Sequence, residues 1–168
     1  DSAARRIVDM LYESAEAPEG VEAAVKTRMI GRLHHVGSSS ETAPAIEGSF
    51  TRLIAMLDRC LAHRSYLFGA RPCLADFGLA GQLTQLLSDP TPGALLKAQA
   101  PNVVRWIARM ENPQREGDFA PFEMLRDDLK DLLQREVASA YLAWMDANAR
   151  AVAGDATYVS VQIGESTF

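Results

Sequence analysis

Positive charge and long apolar runs are both scarce in this sequence. The 168 residues carry 17 Lys and Arg against 22 Asp and Glu, a formal net charge of −5 with His neutral. Nucleic-acid binding needs a basic face to meet the phosphates, so we expect no nucleic-acid partner. No apolar run approaches the roughly 20 residues that span a bilayer, and the amino terminus does not resemble a signal peptide. The sequence therefore predicts a soluble, cytoplasmic protein with no membrane partner.

Residues that bind metals or carry covalent chemistry are few and poorly spaced. His34 and His35 are adjacent, so on a helix they would point in different directions and could not form the i, i+4 pair of a zinc motif. His63 stands alone. No Ser-His-acid arrangement is evident, and the glycines lack the Lys-Ser or Lys-Thr that follows a phosphate loop. We predict no metal site and no catalytic residue in this chain.

Cysteine is also rare, with Cys60 and Cys73 as the two examples, and their spacing does not indicate a disulfide. Cys73 precedes a predicted helix, whose dipole would lower the pKa of the thiol and favour a nucleophilic or redox role. Asp76 opposes this effect, because a nearby carboxylate raises the pKa of a thiol. We expect both cysteines to be small buried groups, with a redox role for Cys73 as the less favoured alternative.

The clearest structural signal lies in the run YLFGARPCLADFGLAGQLTQLL, residues 66 to 87. Gly69 and Pro72 are suited to a turn that leads into a helix. Asp76 follows Cys73 by three residues, which is the spacing at which an N3 carboxylate accepts a hydrogen bond from the N-cap amide. The usual Ser or Thr at the N-cap is replaced by Cys73, a weaker hydrogen-bonding group. We therefore expect Asp76 to supply the cap.

The helix that follows this cap is strongly apolar. Pro72 and Phe77 occupy the N′ and N4 positions, where they are predicted to pack as a hydrophobic staple. The alanines and leucines beyond them leave few positions for a solvated face, which predicts a central, buried helix. Gly78 and Gly81 would then allow close packing of neighbouring helices.

Apolar periodicity predicts helices over most of the remaining chain. They are expected at residues 2–15, 21–36, 44–63, 94–98, 101–111 and 123–153, the last being one bent helix or two. Thr42 is expected to cap the helix that contains Pro44 in its first turn, and the run DPTPG at 89–93 is expected to end a helix. We predict an all-α bundle of five to seven helices, a single domain over residues 1–168. Its core would span 40–153, with an irregular or strand-like tail at 154–168.

Two segments carry a family resemblance. The run FGARPCLADFGLAGQL resembles the capping box and staple segment in the carboxy-terminal helical domain of glutathione S-transferases, where it opens the buried core helix. The segment APNVVRWIARM, residues 100 to 110, is similar to the next helix of that family, which often has Pro at its start and Trp midway. The resemblance extends over roughly residues 40–153, and Cys73 is its main departure.

This resemblance implies a function that the chain shares with another domain. In the family, an amino-terminal thioredoxin-like α/β domain holds glutathione and supplies the catalytic residue. No βαβ pattern occurs in this sequence, so we expect no cofactor in this chain, glutathione as co-substrate of the whole protein, and no transferase activity of the chain alone. The resemblance also implies a homodimer. It implies a cleft for a glutathione-type or apolar small molecule, with Met10, Tyr12 and Met110 as wall residues.

Each of these assignments has an alternative. Met10 would instead belong to the core stripe of its helix and Tyr12 to the surface. The whole domain would instead be a protein-interaction or ligand-binding module that has lost catalysis. A transferase half should expose an apolar patch where another domain docks, whereas a self-sufficient module should have covered it.

Overall fold

The computed structural model describes residues 2–13 and 15–168, most of which are helical. The α-helices are α1 Ser2–Tyr12, α2 Val21–Gly31, α3 Ala43–Leu61, α4 Leu74–Ser88, α5 Pro90–Gln99, α6 Pro101–Arg109, α7 Phe122–Asp131 and α8 Leu142–Ala153. A 3₁₀ turn covers Leu33–Val36, and a π-helical segment, Leu132–Tyr141, joins α7 to α8. Counting α7, the π-helical segment and α8 as one continuous stretch, the described residues form seven helices, so the predicted all-α fold is confirmed.

The core lies between α3, α4, α5 and α6. Its buried residues all fall between positions 54 and 107, and they are Ile54, Met56, Leu57, Cys60, Leu61, Tyr66, Leu67, Ala80, Leu83, Leu96, Ala100, Val103, Trp106 and Ile107. Four of them, Ile54, Leu57, Cys60 and Leu61, belong to the apolar stripe that helical periodicity predicts from Ile46 to Leu61 on one face of the helix at 44–63. Met56 of the same helix is also buried. Among the described residues, none of the helices is long and apolar enough to cross a membrane.

The helix α6 has its amino terminus capped by another helix. Its own N-cap residue, Ala100, has no polar side chain. Asp58 of α3 takes this role by accepting hydrogen bonds from the backbone N–H of Asn102 at 2.7 Å and, more weakly, of Val103 at 3.4 Å. A carboxylate is favoured at the positive end of the helix dipole, so this contact fixes α6 against α3.

Three local expectations were wrong. The run at 89–93 ends α4 but also begins α5, because Asp89 accepts a hydrogen bond from Thr91 N–H and Pro90 occupies the first turn, where a missing N–H costs nothing. The hydroxyl of Thr42 does not cap α3; it donates to the Gly37 carbonyl at 2.7 Å. His34 and His35 lie in the 3₁₀ turn, where their ring centroids are 4.0 Å apart, and so do not diverge as on an α-helix.

The two ends of the chain also differ from expectation. The first helix ends at Tyr12, and Ser14, which the prediction included, lies outside the described residues. In the tail, β1 Gln162–Ile163 pairs with β2 Ser166–Thr167 as a short antiparallel hairpin, so the partner of the predicted strand is the tail itself. Phe168 then packs edge-on against Trp144, with ring centroids 5.7 Å apart.

Gly69 connects the core to the loop before α7. Its φ is +138°, and an added Cβ would lie 2.6 Å from the Ala120 nitrogen and 2.7 Å from the Asp118 carbonyl oxygen. The loop is held there by backbone hydrogen bonds from Ala70 N–H to Asp118 and from Ala120 N–H to Phe68. Both the backbone angle and the close approach require a residue without a side chain.

We expect Gly69→Ala to lower the free energy of unfolding by about 3 kcal/mol, because it combines backbone strain with a clash against backbone atoms. Gly81→Ala is the matched control, since a Cβ there meets open space within α4. That change should raise stability by roughly 0.5 to 1 kcal/mol. Urea unfolding measures both values, and equal stabilities for the two variants would contradict this account.

Candidate functional site

The carboxylate of Asp76 lies at the centre of the core and is 0% exposed. Its Oδ1 accepts hydrogen bonds from Leu67 N–H at 2.9 Å and from the Trp106 indole N–H at 3.1 Å. Its Oδ2 accepts from Cys73 N–H at 3.0 Å and from the Cys73 thiol at 3.1 Å. A buried charge is tolerated when its hydrogen-bonding capacity is used, and here both oxygens have two donors each.

These donors come from separate parts of the chain. Cys73 is the N-cap of α4, and its side chain also faces the backbone N–H of Asp76, which completes a capping box. Leu67 belongs to the turn before α4, and Trp106 to α6. The carboxylate thus caps one helix and ties it to a turn and to a second helix. The capping contact expected from the spacing of Cys73 and Asp76 is present in this geometry, whereas the contact with Trp106 had no signal in the sequence.

We expect Asp76→Asn to lower the free energy of unfolding by about 3 kcal/mol or more, because the amide NH₂ would face N–H donors that need an acceptor. Asp127→Asn is the control, since that carboxylate is on the surface of α7 and its ion pair, with Arg126, is itself exposed. The control should change stability by less than about 0.5 kcal/mol. Similar losses in the two variants, measured by chemical denaturation, would contradict the central position of Asp76.

The thiol beside this carboxylate is not activated. Burial raises the pKa of Cys73, and its hydrogen bond to Asp76 raises it further, which outweighs the contribution of backbone N–H groups at the helix start. Burial and the nearby Asp128 also raise the pKa of Cys60. Since the thiolate is the reactive form, neither environment favours the nucleophilic or redox role considered from the sequence.

The alkylation rate of Cys73 tests this directly. A pKa above the usual value of about 8.5 leaves little thiolate at pH 7, so iodoacetamide should react slowly there and faster only as the pH rises past that value. A Cys60→Ala variant isolates the signal of Cys73, and free cysteine provides the reference rate. Half-maximal reactivity below pH 8 would restore the nucleophilic interpretation.

The three residues expected to line a ligand cleft differ in their surroundings. Tyr12 lines a cavity of about 380 Å³ between α1 and the loop that follows it, and neither Met10 nor Met110 lines that cavity. Met10 is 67% exposed, which excludes the core position considered as its alternative. Met110 is partly buried against the core. The predicted cleft therefore stays a prediction for these residues.

The helix α4 is less buried than its sequence indicates. Its buried side consists of Asp76, Ala80 and Leu83, whereas Leu74 is 90% exposed and Phe77 is 52% exposed. A Cβ added to Gly78 or Gly81 would have no neighbour within 4 Å, so these glycines do not mediate close packing among the described residues. The prediction of a central, buried helix with few solvated positions was wrong for the outer side of α4, because periodicity cannot distinguish leucines that face the core from leucines on a free face. The contact of Pro72 with Phe77 stays a prediction.

We call the outer side of this helix the α4 face; it consists of Leu74, Phe77, Gly78, Gly81 and Gln85. These residues recur at spacings of three and four, so they lie along one side of the helix. None of them is charged. An exposed strip with large apolar side chains and no charge is typical of a surface that contacts another protein or domain.

A second feature is a mainly apolar cavity of about 700 Å³ between α3, the π-helical segment and the tail hairpin. Ile46, Ala140, Ile163 and Phe168 provide much of its apolar lining. At its polar side, Glu136 accepts hydrogen bonds from the Ser49 hydroxyl at 2.5 Å and from Arg52 Nε at 3.1 Å. Sequence reasoning missed this cavity, because its walls come from α3, the π-helical segment and the tail, which are distant in sequence, and because periodicity does not identify π-helical turns. Such turns often occur at functional sites.

No metal centre is evident at any of these places. Within residues 2–13 and 15–168, no cluster of three or more His, Cys, Asp or Glu side chains could hold an ion.

Comparison with known proteins identifies one part of this structure. Residues 40–109 match the family model described as "Glutathione S-transferase, C-terminal domain". The match begins just before α3 and ends with α6, so it covers the helices that form the core, and the resemblance seen in the sequence is confirmed. No curated protein and no solved structure gives a significant match to the chain.

Proposed function

Because residues 40–109 match the family model of the glutathione S-transferase C-terminal domain, we propose that the chain is the helical part of a glutathione S-transferase-like protein. In this role it contributes a wall of an apolar ligand cleft and part of a subunit interface. Glutathione conjugation would require a thioredoxin-like domain in addition to these residues.

The observation that carries the proposal is the exposure of the α4 face. Leu74 and Phe77 lie at the start of the helix whose cap the family resemblance identifies; among the described residues Leu74 is almost fully exposed and Phe77 is about half exposed. Burying a large apolar side chain contributes roughly 1.5 to 3 kcal/mol, so leaving two of them in water is costly unless a partner covers them. This favours a docking surface over a self-sufficient module.

The apolar cavity at the π-helical segment supports the ligand-binding part of the proposal. Its volume of about 700 Å³ falls within the range of small-molecule sites, and its apolar walls with a few fixed polar groups are typical of such sites. It lies at a different place from Met10, Tyr12 and Met110. The cleft wall would therefore be formed by Ile46, Ala140 and the tail.

The chemistry of the reaction would come from outside this chain. Conjugation requires a thiolate that attacks an electrophilic carbon, with the leaving group departing or a double bond taking up the electron pair. The raised pKa values of Cys60 and Cys73 make neither a suitable source of that thiolate. The sulfur would be that of glutathione, and this chain would orient the apolar electrophile.

The double variant Leu74→Glu with Phe77→Glu tests the interface. We expect the unmodified chain to sediment as a homodimer at concentrations of tens of micromolar and this variant to sediment as a monomer, because two carboxylates cannot be buried against an apolar partner. Glutamate in the first turns of α4 suits the helix dipole, so the fold should persist.

Val152→Glu is the matched control, because Val152 is an exposed apolar residue on a different helix. It should leave the sedimentation unchanged. A chain that is monomeric at every concentration, or a control that dissociates the dimer equally, would contradict an interface at the α4 face. Calorimetric titration of glutathione should give no saturable heat with this chain; saturable binding would contradict the assignment of glutathione to another domain.

A further inference from the structure

A small polar cavity at the carboxyl end of α3 has an unusual charge composition. It measures about 330 Å³, and its lining includes His63, Arg64, Arg105 and Arg109. None of the described residues that line it is a carboxylate. On a chain whose net charge is −5, this is a local concentration of positive charge.

The arginines at this cavity are held in place by hydrogen bonds that use only part of their donor capacity. Arg109 donates from Nη1 to the Ser65 carbonyl at 3.0 Å, and Arg105 donates from Nη2 to the Asn102 side-chain oxygen. Arg64 donates from Nε to the Cys60 carbonyl at 3.2 Å. Each guanidinium group has five N–H donors in a planar fork, so oriented donors remain for a further acceptor.

Three carboxylates form hydrogen bonds with residues that line the cavity. Asp128 accepts from Arg64, Glu116 accepts from the Ser65 hydroxyl, and Asp58 accepts from Asn102. Arg64 is thus neutralised by Asp128. No ion pair among the described contacts involves Arg105 or Arg109.

Helix dipoles account for only part of this arrangement. Cations near the last turn of a helix are favourable, which explains Arg109 at the end of α6. Arg105 lies one turn earlier on the same helix, and like charges at i, i+4 repel each other. A bound anion between the two side chains would convert that repulsion into attraction.

We propose that this cavity binds the phosphoryl group of a small, polar phosphorylated molecule. Arg105 and Arg109 would hold the phosphoryl oxygens with their paired N–H groups, a geometry that suits phosphate better than a single point charge. The polar lining and the volume of the cavity fit a small polar group, such as a sugar, as the rest of the phosphorylated molecule. The site shares no described lining residue with the α4 face or with the apolar cavity, and it does not depend on the function proposed above.

Isothermal titration with ribose 5-phosphate, ribose and inorganic phosphate tests the proposal on the intact chain. We expect saturable binding of ribose 5-phosphate, at least tenfold weaker binding of inorganic phosphate, and no binding of ribose. Arg105→Gln should weaken binding of ribose 5-phosphate at least tenfold, because it removes the charge and the fork. Arg115→Gln is the control; this exposed arginine pairs with Asp118 and does not line the cavity. It should bind like the unmodified chain.

Because Arg105 is exposed, we expect Arg105→Gln to fold like the unmodified chain, and an unfolding curve for each variant checks this. Absence of saturable binding by ribose 5-phosphate at millimolar concentration would overturn the proposal, as would equal effects of the two arginine variants. Inorganic phosphate binding as tightly as ribose 5-phosphate would overturn the small-molecule assignment and leave an anion site only. Tighter, Arg105-dependent binding of a single-stranded oligonucleotide would instead assign the cavity to a nucleic-acid backbone.

Discussion

One buried carboxylate connects the parts of this fold. Asp76 accepts hydrogen bonds from the N-cap of α4, from the turn at Leu67 and from the indole of Trp106. An apolar side chain at this position would leave three N–H groups without an acceptor inside the core, each at a cost of about 1 to 3 kcal/mol. The orientation of α4 relative to α6 therefore depends on this group as well as on the leucines that pack around it.

The rest of the structure consists of the core helices around that contact and of a loop and a tail that are attached to them. The helices α3 to α6 supply the core cluster and coincide with the matched family segment. The loop before α7 is attached through Gly69, and the tail is attached through Phe168 and Trp144. The surfaces with functional potential lie on the outside of this core. The α4 face is apolar and uncharged, the apolar cavity has a few polar groups, and the polar cavity is lined by arginines.

Structural features that depend on local spacing could be predicted from the sequence. Asp76 three residues after Cys73 predicts the capping contact, and the stripe from Ile46 to Leu61 predicts α3 almost to its ends. Features that depend on contacts between distant segments could not be predicted from it. The exposure of Leu74 and Phe77 depends on which neighbours cover α4, and a leucine-rich helix has the same periodicity in either case.

The candidate sites illustrate the same limit. The apolar cavity requires Ile46 and Ala140 to line the same space, and the polar cavity at the carboxyl end of α3 requires the residues after α3 to lie beside one side of α6. Contacts between such distant segments are not visible in a local sequence pattern. The resemblance to a family identified the core helices correctly, whereas its suggestion of Met10, Tyr12 and Met110 as one cleft stays a prediction.

Hydrogen exchange at the Trp106 indole tests most directly whether the Asp76 contact is central. If the carboxylate holds the core together, the indole N–H can exchange only when the whole domain unfolds, and its opening free energy should equal the global free energy of unfolding. The indole of the partly exposed Trp144 in the same spectrum serves as the internal reference. We predict that the Trp106 signal persists long after that of Trp144 has exchanged. Exchange of both signals at similar rates would contradict the account.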